Sequence, residues 1–89
     1  MDTVASLLKG EIARREWVQA DLARVLQWPV QSLSEVMQDK RRLDASMALD
    51  LAELTNRSAV EWLAVQATED LAKARQRPNT AARLGEIAA

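Results

Sequence analysis

The stretch from Gln19 to Val36 constrains this chain more than any other. Leu22, Ala23 and Leu26 fall on one helical face, Gln27-Trp28-Pro29 interrupts the period, and Leu33, Val36 and Met37 then make a second face. Two amphipathic helices joined by so short a break must cross at a steep angle. Ala23 is small where the second helix passes close to the first. Such a pair leaves the outer face of its second helix free to enter a DNA major groove.

The rest of the chain agrees with helices. It has 89 residues, enough for one small domain and not for two cores. Much of its 48% apolar content is alanine, with no Phe, Tyr or Cys, and glycine and proline number two each. That composition suits helices packed through small side chains, not a sheet needing branched and aromatic residues. So thin a core gives modest stability alone, and a dimer partner would add to it. Without Cys or His, disulfides, thiolate sites and the commonest general base and metal ligand are absent. The carboxylates and lysines do not cluster as an active site, so the expectation is a non-enzyme with no metal and no cofactor. No apolar run approaches ~20 residues, and Met1-Asp2-Thr3 does not start a signal peptide. A cytoplasmic protein with no membrane partner is expected.

Net charge is −1, but its distribution matters more than its sum. Residues 1–42 carry seven Lys/Arg against six Asp/Glu, and residues 43–89 five against seven. Lys40-Arg41-Arg42, just after the second helix of the pair, is the only basic triplet. Alone it reads as a solvated charge run; beside the helix pair it reads as a phosphate clamp.

The spacing predicts a first helix from Thr3 to Glu16, with Thr3 as its cap and Gly10 placed for close approach of a neighbour. Trp17 should plug the core where this helix meets the next. The second helix spans 19–26. The third spans 29–38, with Pro29 in its first turn. Asp44 caps a fourth helix of about 45–55, and Ser58 with Glu61 opens a long fifth one at 59–76 as a capping box. Residues 81–88 read as a weak last turn or two. The expected architecture is all-α: a compact five-helix domain over residues 1–78 and a short C-terminal tail at 79–89.

Several stretches in this order resemble lambda-repressor-like (XRE-type) helix-turn-helix domains, and most closely the HigA-type antitoxins, or plasmid-maintenance antidote proteins. They are Gly10-Glu11-Ile12, Gln19-Ala20-Asp21-Leu22-Ala23, Ser34-Glu35-Val36 before Lys40-Arg41-Arg42, Ala48-Leu49, Glu61-Trp62-Leu63, Asp70-Leu71 and Ala74-Arg75. The resemblance covers roughly residues 8–76. The chain departs from it in three places. Gln27 stands where glycine usually ends the second helix in a left-handed conformation, at a cost of about 1 kcal/mol. Asp39 also replaces a glycine, and puts a negative charge beside the basic loop. Val18 replaces the usual Ser or Thr cap.

The resemblance implies a dimeric, sequence-specific DNA-binding regulator, acting as a repressor on double-stranded DNA. In its narrower form it implies an autoregulating antitoxin with a cognate protein toxin. Carried over by position, Val30, Gln31, Ser32 and Glu35 face bases, and Gln38 lies farther along. Gln31 suits adenine, Val30 a thymine methyl and Glu35 cytosine N4. Gln19, Lys40, Arg41 and Arg42 face phosphates. Arg24 either joins them or pairs with Asp21. Trp62 and Val65 are assigned to a dimer interface, core being the equal alternative for Trp62. Trp28 either covers the helix crossing or touches the DNA backbone. The competing reading is a protein-interaction module that keeps the fold and has lost DNA, favoured by Glu35, Asp39 and the acidic pI.

Overall fold

The computed structural model describes residues 2–89, which form six helices and, among the described residues, no strand. They are α1 (Val4–Arg15), α2 (Gln19–Leu26), α3 (Val30–Met37), α4 (Ala45–Leu54), α5 (Ala59–Arg75) and α6 (Pro78–Ala88). The first five match the expected elements to within a residue or so, because their starts are written in local chemistry. Thr3 accepts from the Ser6 N–H, and Ser6 Oγ accepts in return from the Thr3 N–H, both at 3.0 Å. Asp44 accepts from the Met47 N–H at 2.8 Å and Ser58 from the Glu61 N–H at 3.1 Å. The reciprocal capping box therefore closes on α1.

The count of five is corrected to six. Where a weak turn or two is expected over 81–88, an eleven-residue helix runs from Pro78 to Ala88. Arg77 is extended at its cap, Pro78 supplies a helical φ at the first position, and Ala81 and Ala82 favour its continuation. No residue of α6 is buried. It packs against α5, and the molecule measures 52 × 23 × 22 Å.

α3 lies on α1 and α2, while α4 packs along α5, which also meets α1. Leu8, Leu33, Val36, Ala48, Leu51 and Trp62 form the driest part of the core. Trp62 is 0% exposed, and its indole N–H donates to Thr55 Oγ1, whose own hydroxyl donates to the Leu51 carbonyl. Val65 also packs against the core. The placing of Trp62 at a dimer surface is therefore corrected to its alternative, the core, while Val65 keeps part of its side chain exposed. An apolar stripe says that a helix face is covered, not by which chain. Trp17 does pack against the core, though it is only half-buried, and the Arg15 guanidinium stacks on its ring at 5.1 Å. Gly10 is also corrected: a Cβ there would meet nothing within 4 Å, so this glycine faces open solvent and no helix approaches it.

Three helices end in the same way, each with a non-glycine residue in the left-handed region: Glu16 (φ 56°), Gln27 (φ 60°) and Asp39 (φ 63°). In each case the next residue's N–H reaches back over the turn. Trp17 donates to the Ile12 carbonyl, Trp28 to Ala23 and Lys40 to Glu35, at 3.0, 3.0 and 2.8 Å. The left-handed geometry expected at Gln27 is present without the glycine that makes it easy. Trp28 is buried beneath it and donates its indole N–H to Asp50 Oδ2 at 2.9 Å. Trp28 thus covers the helix crossing.

Two carboxylates are buried with their partners. Glu69 of α5 accepts from the Val4 N–H at 3.0 Å, so a side chain 65 residues away caps α1. Glu11 accepts from Arg14 at 2.6 Å and Arg15 at 2.9 Å, and Arg15 donates on to the Leu54 carbonyl. Burial works to raise the Glu11 pKa. The hydrogen bonds and charges of Arg14 and Arg15 outweigh it, leaving the pKa below the ordinary 4.5. The sign follows: the unfolded chain takes up the proton first, so this stabilisation is full above 4.5 and is lost as pH falls through the lower folded value. Urea midpoints measured from pH 7 to 3 should therefore fall less steeply for Glu11→Gln than for wild type. Parallel profiles would show that this cluster does not drive acid unfolding.

Candidate functional site

The site is built on the α2–α3 pair and the loop that follows it. Ala23 is almost fully buried, letting α3 pack closely against α2. The left-handed turn at Gln27 redirects the chain, and Pro29, extended at φ −56°, starts α3. Leu33 and Val36 point inward from α3. That leaves the leading edge of α3 outward: Val30 is 57% exposed, Gln31 is exposed and Ser32 half-exposed. The side chains of Val30, Gln31 and Ser32 make no hydrogen bond among the described residues. Gln38, one turn beyond Ser34, donates its amide to Ser34 Oγ at 2.9 Å.

Both helix starts lack a capping side chain, since Val18 and Pro29 offer none. The first N–H groups of α2 and α3 are therefore open to an external acceptor, and Gln19, half-buried, stands at the first of them.

The basic loop is held to the fold by Gln66 of α5. Its amide accepts from the Leu43 N–H at 2.7 Å and donates to the Leu43 carbonyl at 2.9 Å. This clamp fixes the chain just past Lys40-Arg41-Arg42. The triplet is exposed, as expected, but two of its cations already have partners. Arg41 donates through Nε and Nη2 to Glu35 Oε1, both at 3.3 Å. Arg42 pairs with Asp70 of α5. Nearby, Lys73 reaches Asp39 at 3.9 Å and Glu69 at 4.0 Å. Arg24 pairs with Asp21 at 3.2 Å, as one of its two readings had it.

The structure thus joins Glu35 to Arg41 by an ion pair, and sets Lys40, Arg41 and Arg42 together along a depression with Gln66, Asp70 and Lys73 of α5, while Val30, Gln31 and Ser32 lie at the other end of α3. The residues that sequence reasoning missed here are Gln66, Asp70 and Lys73. Arg42 and Asp70 are 28 residues apart, and no periodicity in either segment signals that they meet. No helix among the described residues is long and apolar enough to cross a membrane.

No protein-family model matches this sequence, and no curated protein matches it. It is similar to a solved structure described as a hypothetical protein from E. coli. The two are 27% identical with a TM-score of 0.88, over 94% of this chain and 87% of that one. The two chains share one arrangement of helices.

Proposed function

We propose that this chain is a cytoplasmic, sequence-specific DNA-binding regulator of the lambda-repressor-like helix-turn-helix type, acting as a dimer on a palindromic operator. The observation that carries the reading is the free leading edge of α3, Val30-Gln31-Ser32, held outward by a tight turn from α2. A helix presented this way can lie in the major groove with Gln31 paired to adenine and Val30 against a thymine methyl. Open N–H groups at the start of α2, with Gln19, suit a phosphate. Lys40 offers a cation among the exposed triplet. Arg41 and Arg42 become available when phosphate replaces their carboxylates, an exchange that costs little because exposed pairs contribute about 0–1 kcal/mol. Two α3 helices about 34 Å apart would read half-sites one turn apart. The resemblance to HigA-type antitoxins supports the narrower form, in which the same chain binds a small protein toxin and controls its own operon.

A second reading, a protein-interaction module without DNA, is favoured by the closing of Arg41 on Glu35 and Arg42 on Asp70. Fluorescence anisotropy separates the two, using the DNA upstream of the coding region and a scrambled duplex. The regulator should bind the upstream DNA tightly and in a salt-dependent way. Gln31→Ala should then weaken that binding by roughly tenfold to a hundredfold, the worth of one bidentate base contact, and leave the scrambled duplex unaffected. Equal weak binding to both duplexes, or none, supports the interaction module.

A further inference from the structure

α6 has no partner for its apolar face. Ala81, Leu84, Ile87 and Ala88 follow helical spacing along it, with Leu84 46% and Ile87 72% exposed. A helix this short with no buried side chain is marginal in water. The cations beside it are also free: Arg75, Arg77 and Arg83 make no ion pair among the described residues.

The complementary surface lies between α2 and α4. Two depressions meet there at Val25 and Leu54. One, of about 560 Å³, runs past Trp28 and Met47, and the other, of about 200 Å³, past Trp17 and Val18. Val25 and Val18 are each 60% exposed on its floor and edge. The rim is acidic. Glu16, Asp44, Asp50 and Glu53 line the two depressions, and none of them has an ion-pair partner among the described residues. Asp50 and Asp44 also accept hydrogen bonds, from the Trp28 indole and the Met47 N–H, whereas Glu16 and Glu53 accept none. A groove with Val25, Leu54 and Val18 on its surface and a net negative rim fits a helix with an apolar face and free guanidinium groups beside it.

We infer that α6 of one copy seats in the α2–α4 groove of a second copy, and that the exchange is reciprocal. Leu84 and Ile87 cover Val25 and Leu54, and the arginines face the acidic rim. A reciprocal exchange closes on itself as a two-fold dimer, so no open chain of copies results. The contact supplies the dimer that the proposed DNA reading needs, but it forms without DNA, and its test contains none.

Sedimentation equilibrium of the full chain at about 100 μM measures it, since interfaces of modest size dissociate at micromolar levels. Wild type should sediment at twice its 9.9 kDa chain mass. Ile87→Asp and Val25→Asp should each raise the dissociation constant at least about tenfold, as expected when an apolar contact is replaced by a charge. Both residues are exposed in the single chain, so thermal melts should stay near wild type and exclude misfolding. In an equimolar mixture of the two variants the mixed pair regains one of its two contacts, so it should dimerise more tightly than either variant alone and less tightly than wild type. The Val25→Asp copy still has an intact α6, and the Ile87→Asp copy an intact groove. A monomeric wild type overturns the inference. So does a dimer insensitive to Val25→Asp, which would mean that α6 does not dock in the groove.

Discussion

Trp62→Ala should unfold most of the domain's margin of stability. Removing a fully buried tryptophan from a packed interior costs about 3–5 kcal/mol. A chain of 89 residues has a total of only about 4–13 kcal/mol to lose. The loss has two parts here. The indole fills the space beside α4, and its N–H satisfies Thr55, whose hydroxyl holds the last turn of that helix through the Leu51 carbonyl. Thermal unfolding followed by circular dichroism should show the midpoint falling by at least about 12 °C, using roughly 4–8 °C per kcal/mol for a domain of this size. Trp62→Phe keeps most of the volume and loses only the hydrogen bond, so it should fall much less. A small, equal drop for both variants would contradict the placement of Trp62 in the core and reopen a surface role for it.

The second large effect concerns the basic loop and belongs to the proposed DNA reading. Each phosphate contact adds about 0.9 to the slope of log affinity against log salt, which is about an eightfold gain at 0.1 M relative to 1 M. Arg41→Ala combined with Arg42→Ala should therefore lower the salt slope by about two and weaken binding by roughly sixtyfold at 0.1 M, equally on all sequences. The pairs already made in the free protein set the sign of a control. Removing the competitor, as in Asp70→Asn, releases Arg42 and should strengthen binding slightly, where loss of a structural tie would weaken it. An unchanged slope in the double variant would remove both arginines from the interface.

The sequence was most legible where structure is decided locally. Thr3, Asp44 and Ser58 accept from backbone N–H groups three residues on, so the starts of α1, α4 and α5 stand in the sequence itself. The α2–α3 pair was legible because two apolar faces change phase across three residues, and the outward edge of α3 is what remains once Leu33 and Val36 turn in. The rest depends on distance along the chain. Whether Trp62 faces the core or a second copy is the same stripe in either case. The pairing of Arg42 with Asp70, the capping of α1 by Glu69 and the hold of Gln66 on Leu43 join segments 28, 65 and 23 residues apart, with no local mark at either end. α6 was underread although Ala81, Leu84 and Ile87 keep helical spacing, because no side chain caps its start and the Arg77-Pro78-Asn79-Thr80 stretch reads as a break, whereas Pro78 in fact opens the helix.

The three left-handed helix ends have a consequence for how the molecule comes apart. Glu16, Gln27 and Asp39 would each relax toward ordinary backbone if left to themselves, and together they hold about 3 kcal/mol of conformational tension. What keeps them bent is packing elsewhere, above all Trp28 lodged beneath the second turn. Two of these turns bracket α2, and the third closes α3, whereas α4 and α5 are joined with none. Local opening short of full unfolding should therefore be easiest at α2 and α3, which faster amide hydrogen exchange there than in α4 and α5 would show.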